Sequence, residues 1–567
     1  MVDSALPSRA PRTAPLHLLT TSRSGTLPRI DRERAALRRR WVAEGWYRGD
    51  TLADALRAGV REHPDTTLHF VGEDHVGAVS LTEVLARGEV VASALHARGL
   101  GPGDVVAVQV PNWIEGAVAY AAAMLLGAVI VPIVHIYGPA EVGFILRQSR
   151  ARALVVPDRW RRIDYTARLT QLGDVPDLET IVVIGADVPD GAVAWVDLER
   201  GPAGPLPSPT WASDDVAFQI YTSGTTGEPK GVQHSHDTML AEVRSLAAMA
   251  DGERGATLGS FPAGHIAGVL SFLRTFVLGS NSVLLDAWDA SLAARLVEQH
   301  GIESTAGTPY FVTSLFDAAD ADGRDLSSLT KFMVGGANVP RAVVELADER
   351  GVASYRAYGS TEHPTVTSGS PDDPIAARAT TDGRVTPGNE VRIGDDDGHD
   401  VAPGARGEVV TRGPELFLGY SDPAFDIDAF LPGGWFCTGD IGVLDDGFLT
   451  IVDRKKDIII RGGENIASKE VEDLLVEHWG IRDAAAVAVP DARLGETVGA
   501  FVVLQPGASL DLDEVRRYFR AAGVAIQKTP ERLELVDELP RGPGGKVLKV
   551  ELRRRLAGGE AGRLGGT

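Results

Sequence analysis

Short apolar runs that alternate with amphipathic segments constrain this chain more than any other feature. Residues 104–110, Asp-Val-Val-Ala-Val-Gln-Val, read as a buried strand after the turn Gly101-Pro102-Gly103. A helix is expected over 140–150, then strands over 153–156 and Thr180–Ile184. The rhythm resumes through Ser282–Leu285, 292–300, Lys331–Val334 and 343–350. Apolar strands spaced by helices predict largely parallel sheets with helices on their faces. Past Gly388 the texture changes to short strands, 390–393 and 408–411, separated by Asp/Gly turns such as 395–398, which predicts a small antiparallel barrel or sheet. From Asp457 a helix (469–477), two strands (484–489 and 500–504) and a second helix (511–520) predict a compact α+β unit.

The fold class is therefore α/β: a large N-terminal domain of two helix-covered sheets plus a small β-barrel, followed by a small α+β C-terminal domain. More than one core is expected of 567 residues. The boundaries read as a loose Arg/Pro/Ser/Thr-rich arm over 1–28, the large domain over 29–455, the small domain over 456–556 and a Gly-rich tail over 557–567. The arm holds no apolar core long enough for a signal peptide. Residues 116–134 are almost wholly apolar and near bilayer-spanning length. Gly127 and Pro132 interrupt them, so a buried helix ending near Leu126 and a strand over 129–131 are expected instead.

One polar stretch stands out in this frame. Residues 221–232 read Tyr-Thr-Ser-Gly-Thr-Thr-Gly-Glu-Pro-Lys-Gly-Val, after an expected strand and before a helix-like segment that begins near His236. Gly224 and Gly227 allow tight turns and close approach of backbone to a ligand. Thr222, Ser223, Thr225 and Thr226 supply hydroxyls, and Lys230 a mobile cation. Such a loop can surround a polyphosphate. It is not a Walker A loop, which needs adjacent Gly-Lys followed by Ser or Thr. Taken alone, the stretch fits a polar surface turn as well as a phosphate cradle.

Further segments follow in order: Tyr358-Gly-Ser-Thr-Glu362, Gly434-Trp-Phe-Cys-Thr-Gly-Asp440, Asp453-Arg-Lys-Lys-Asp457, Gly462-Gly-Glu-Asn465 and Arg541-Gly-Pro-Gly-Gly-Lys546. With the loop, this series resembles the adenylate-forming superfamily of acyl-CoA synthetases, peptide-synthetase adenylation domains and firefly luciferase. The resemblance runs from about Leu52 to Leu556 and is nearest to the acyl-CoA ligase branch. It implies an AMP-forming acid–thiol ligase: a carboxylic acid attacks the α-phosphate of Mg-ATP, and a thiol then displaces AMP from the acyl-adenylate.

The resemblance also implies roles. Lys546 reaches from the small domain to the reacting carboxylate and α-phosphate, and Lys230 serves the phosphates. Glu362 is the Mg2+ carboxylate, a hard oxygen ligand suited to that ion, and Thr361 contacts phosphate. Asp440 accepts from the ribose hydroxyls and Arg454 approaches ribose or phosphate. Gly335, Gly336 and Ala337 form the strip against which adenine lies, with Tyr358 and Gly359 beside it. His265 lines the acid pocket, with Gly264, Gly268, Gly307, Thr308 and Pro309 around it. Lys456 is the hinge on which a mobile small domain rotates, and Gly463 lines the pantetheine path. Asn338 and Ser468 depart from the family pattern; Asn338 is expected to affect packing only, and Lys549 to be ordinary surface charge.

Composition narrows the partners. Lys plus Arg number 56 against 78 Asp plus Glu, a net charge of −22, which disfavours nucleic acid and anionic membranes. A single cysteine, Cys437, excludes an internal disulfide and a multi-cysteine metal site and reads as a small packed residue. A cytoplasmic enzyme using ATP, Mg2+ and CoA on an apolar acid is expected. Small glycine-rich pocket positions leave room for a bulky acyl group. Two alternatives stay open: transfer to a carrier protein's phosphopantetheine, and a non-catalytic nucleotide-binding protein. The absence of a fused carrier domain favours free CoA, and the joint presence of Glu362, Asp440, Arg454 and Lys546 argues against loss of catalysis.

Overall fold

The computed structural model describes residues 27–557 apart from 74, 207–209, 223–228, 250–254, 396, 462–463, 492 and 543–544. Two large sheets and one small one carry the chain. The first runs through Thr180–Ile184, Ala153–Pro157, Val105–Val108, Val129–Pro132 and Val216–Thr222, each parallel to its neighbour, and then turns antiparallel through Lys230–Ser235 and Gly419–Tyr420. Its central strands are buried along their whole length, which is why they read as unbroken apolar runs.

The second sheet has a parallel block: Thr67–Val71, Ser282–Leu285, Thr257–Gly259, Ser304–Gly307, Lys331–Val334 and Ala353–Tyr358. Beyond Ala353–Tyr358 it continues as antiparallel strands, among them Phe448–Arg454, Trp435–Asp445, Gly407–Arg412 and Glu390–Gly394. The antiparallel texture past Gly388 thus extends this sheet's edge. The small sheet contains Ile459–Arg461, Glu464–Ile466, Ile481–Asp491 and Gly495–Leu504, with Arg532–Leu535 parallel to the last. The helices Ser468–Val476 and Leu512–Ala521 pack on it around Val471, Leu475, Val515 and Phe519.

The apolar 116–134 segment is the buried helix Ile114–Leu126, stopped by Gly127 in the left-handed region, followed by the strand Val129–Pro132. No helix among the described residues is long and apolar enough to cross a membrane. One local expectation is corrected. Lys230, Gly231 and Val232 are not loop: they open the strand Lys230–Ser235. Pairing on both sides holds this polar, glycine-bearing segment extended.

Candidate active site

Three parallel strands, Ser304–Gly307, Lys331–Val334 and Ala353–Tyr358, end side by side. The residues after them form the floor of the site: Thr308, then Gly335-Gly336-Ala337, then Gly359 through Glu362. In α/β sheets this carboxyl end of the strands is where ligands bind. Gly335 N–H donates to Gly307 O at 3.0 Å and locks two of these ends together. Gly359 cannot carry a side chain, because a Cβ there would stand 1.8 Å from Pro364 O. The buried His234 ring bonds to the Thr361 carbonyl at 2.8 Å, and Phe417 N–H donates to Glu362 O at 2.8 Å. Both fix the backbone that presents Glu362.

Glu362 Oε1 accepts from the Tyr420 hydroxyl at 2.8 Å. The Lys230 amine lies 4.9 Å from the centre of the Tyr420 ring and 4.5 Å from that of Phe425. Thr222 pairs with Lys230 across the hairpin, so Thr222, Lys230, Tyr420 and Glu362 converge on one edge. Tyr420 carries no motif of its own in the sequence; the Gly419-Tyr420 step that brings it there is its only local signal. Ser223, Gly224, Thr225, Thr226, Gly227 and Gly463 lie outside the described residues.

The spacing of Asp440 and Arg454 is that of a hairpin in which the two residues are direct partners. Arg454 Nε stands 2.9 Å from Asp440 Oδ1, and the Tyr358 hydroxyl donates to Asp440 Oδ2 at 2.7 Å. Burial and the Asp440 charge hold the Tyr358 phenol well above its ordinary pKa, so it remains a donor. Each carboxylate oxygen of Asp440 keeps a further lone pair. Lys546 joins this group from the small sheet's side. The Arg454 charge, then desolvation, lower its amine to about 8, with Asp440 opposing. The side chain nevertheless keeps solvent access; it is surrounded by protein atoms but open to a cleft. Gly545 brings it there, since a Cβ on Gly545 would come within 2.7 Å of Thr308 Oγ1. That buried hydroxyl has no partner among the described residues.

His265 caps the helix Ile266–Leu278, its Nδ1 accepting from Ala267 N–H at 3.2 Å. The remaining proton is therefore on Nε2. Burial and the Lys546 charge lower its pKa to about 4, so the ring is neutral at pH 7. Phe261 stacks on it at 5.9 Å.

The joint between the two units runs through residues whose importance the sequence understated. Lys456 is exposed in the turn after Phe448–Arg454, where Asp457 and Ile458 N–H both donate to Arg454 O. Lys549 is not surface charge: its amine donates to Ser468 Oγ at 2.7 Å and pairs with Glu472 at 2.7 Å. Burial would lower its pKa, but Glu472, Asp457 and Asp453 outweigh burial and raise it. Ser468 in turn donates to Asp453 at 3.2 Å. Asn338 is likewise more than packing, since its amide donates to Asp473 on the Ser468–Val476 helix at 3.0 Å. Cys437 is half-buried, and desolvation raises its thiol to about 11.

Known proteins share the family and the fold of this chain. The AMP-binding enzyme family matches residues 56–421, and the AMP-binding enzyme C-terminal domain matches 470–546. The medium-chain fatty-acid–CoA ligase of Escherichia coli K12 is 33% identical over 538 residues, covering 94% of each chain. A Mycobacterium tuberculosis H37Rv ligase for 3-[(3aS,4S,7aS)-7a-methyl-1,5-dioxo-octahydro-1H-inden-4-yl]propanoyl-CoA is 36% identical over 521 residues, covering 89% of this chain and 98% of its own. The crystal structure of the anthranilate CoA ligase AuaEII with anthranoyl-AMP superposes with a TM-score of 0.81 at 25% identity, over 90% of this chain and 98% of that one. The chain belongs to the AMP-binding enzyme family, the adenylate-forming superfamily, in its acyl-CoA ligase branch.

Proposed function

We propose that this AMP-forming acid–CoA ligase activates an apolar fatty or alicyclic carboxylic acid in the cytoplasm, with Lys546 as the cation of the adenylation step. The observation that carries the reading is Lys546 in the cleft beside the Asp440–Arg454 pair, delivered by a loop of the small domain. The acid's carboxylate attacks the α-phosphorus of ATP and pyrophosphate leaves. Lys546 lies against both reacting anions and offsets the charge that builds on the α-phosphate, a preorganised electrostatic contribution. Asp440 accepts from the ribose hydroxyls, Arg454 holds Asp440 and faces the phosphates, and Gly335-Gly336-Ala337 with Tyr358 and Gly359 bounds the adenine. The hydroxyls of Thr222, Ser223, Thr225 and Thr226 serve the β- and γ-phosphates together with Lys230 and Thr361. Neutral His265, carrying its proton on Nε2, borders the acid's carboxylate end.

Glu362 fits a magnesium site. One oxygen is held by Tyr420, and no basic side chain pairs with the carboxylate among the described residues. A half-exposed hard oxygen donor beside a phosphate site is what this ion takes, with waters and phosphate oxygens as its other ligands. The ion would neutralise phosphate charge.

For the second half-reaction the small domain, residues 456–556, turns about Lys456 and brings Gly463 to the pantetheine path. The CoA thiol attacks the acyl carbonyl and AMP leaves. A carrier-protein phosphopantetheine arm presents the same thiol and is the second reading. A panel of carboxylic acids assayed for pyrophosphate, AMP and thioester, with and without CoA, tests both. AMP and acyl-CoA formed together support the ligase. Acyl-adenylate with no transfer to CoA would move the acceptor to a carrier protein, and no pyrophosphate with any acid would end the proposal.

A further inference from the structure

The helix capped by His265 presents one stripe that joins no core. Ala267, Ser271 and Arg274 keep partial exposure and recur at helical spacing on one face, while Val269, Leu270, Phe272, Leu273 and Phe276 are buried. The second sheet has a matching face. Leu258, Phe332 and Val334 pack into the core on one side. Strand alternation turns Gly259, Met333, Tyr355 and Ala357 to the other side, where they are only half-buried and belong to no core cluster among the described residues. A Cβ on Gly259 would lie 3.9 Å from Ser271 Oγ, so stripe and sheet face each other. His265, Gly335 and Ala357 stand at the nucleotide end of these two facing elements, and Arg274 lies two helical turns further along.

The far end is polar. Arg274 is the one charged residue of the Ile266–Leu278 helix. Its Nε–H is fully buried with no acceptor, and no hydrogen bond or ion pair to Arg274 occurs among the described residues. The guanidinium faces Tyr355 and Glu242. Glu242 does not hydrogen-bond to it: Glu242 Oε1 takes the Thr365 hydroxyl at 2.6 Å, and its buried Oε2 has no partner among the described residues. A guanidinium whose buried Nε–H has no acceptor marks a place for an oxygen from outside the chain. The depth follows from two elements independently. Eight helical residues separate Ile266 from Arg274, about 12 Å, and three strand residues separate Tyr358 from Tyr355, about 10 Å.

We propose that Arg274 is a specificity-determining residue that selects an acid with an apolar body and a hydrogen-bond-accepting oxygen, a ketone or hydroxyl, about 10 Å from the carboxylate. This rests on the acid–CoA ligase reading above and names its substrate class. An unadorned chain of the same length fills the channel but leaves the guanidinium unpaired, which a site built for a polar group rejects.

The test compares decanoate with 9-oxodecanoate and 10-hydroxydecanoate by pyrophosphate release and acyl-CoA formation. The expected wild-type result is a kcat/KM about tenfold or more higher for the oxygenated acids, the scale of one hydrogen bond to a charged donor. Arg274→Met should bring the ratio near one. Because removing Arg274 alters the charge beside Glu242, Arg274→Lys, which keeps the charge, is measured beside it and should retain part of the preference. The wild-type ratio needs no variant to fold. Equal kcat/KM for all three acids in the wild type overturns the proposal, and so does a preference that survives in folded Arg274→Met. Failure of all three acids to yield pyrophosphate instead overturns the apolar-acid reading proposed above.

Discussion

The two ends of the cleft are built on different principles. At the nucleotide end, polar groups already hold one another: Arg454 and Tyr358 both bind Asp440, and Tyr420 binds Glu362. At the acid end, Met333 and Ala357 stand outside every hydrophobic cluster among the described residues, and the Arg274 Nε–H has no acceptor. The first end is preorganised and can serve any ATP; the second is defined by what it lacks. Chemistry should therefore be lost through the nucleotide end and selectivity through the acid end.

The most damaging single change belongs to the first end. Lys546→Ala should lower adenylation by about two to three powers of ten, the usual loss on removing one preorganised charged donor. Thioester formation from presynthesised acyl-adenylate should suffer far less, because Lys546 acts before that step. Normal pyrophosphate release by the variant would remove Lys546 from the mechanism.

The domain joint comes next. Gly463→Leu places a side chain on the path assigned to the pantetheine arm and should slow thioester formation by about ten- to a hundredfold, with adenylate accumulating. If Gly463 only serves a turn, both half-reactions fall together and a thermal melt shows lost stability. Lys456→Pro fixes φ near −65° in the turn that would have to rotate. It should bias the enzyme toward one half-reaction, and unchanged turnover would place the pivot elsewhere.

A smaller effect is set by pH. Arg454 and desolvation disfavour the Lys546 cation, so its proton leaves at about 8, below the ordinary lysine range. With the Lys546 cation as the proposed active form, kcat/KM at limiting ATP, which reports the free enzyme, should hold below pH 8 and fall above it. Lys546→Arg should lower the plateau and remove the falling limb. A limb that persists in the arginine variant belongs to another group.

These tests follow what the sequence made visible. Strands that are buried on both faces, such as Val105–Val108, announce themselves by composition, and Thr180–Ile184, Ser282–Leu285 and Lys331–Val334 are bounded where their apolar runs end. Lys230–Ser235 was hidden because lysine, glycine, glutamine and histidine stay extended there only through pairing on both sides. At the site, Asp440, Arg454, Tyr358 and Lys546 could be named from motifs, and the structure brings them together. Tyr420, Lys549 and Asn338 could not, because each takes its meaning from a partner distant in the chain: Glu362, Glu472 and Asp473. The acid end was least legible. Met333 and Arg274 are ordinary residues in ordinary elements, distinguished only by Met333's place outside the hydrophobic clusters and by the unpaired Arg274 Nε–H.

The last prediction tests Met333's place directly. Met333 lies on the sheet face opposite Phe332 and Val334, is half-buried, and touches none of the hydrophobic cores among the described residues. If it lines the acid channel, Met333→Phe narrows the channel without disturbing a packed interior, and stability should change by less than about 1.5 kcal/mol. Short acids that end before Met333 should keep their kcat/KM. Acids long enough to pass it should lose several-fold in kcat/KM, on the low side of the roughly tenfold effect of one methylene in an apolar pocket. ATP kinetics with a short acid should not move, since Met333 is separated from Asp440 and Glu362 by Gly335 and Ala357. Were Met333 a core residue, the larger ring would strain the sheet, lower the melting temperature and reduce activity on all acids equally. A length-independent loss would therefore refute the channel, and a loss confined to long acids would fix Met333 on its wall.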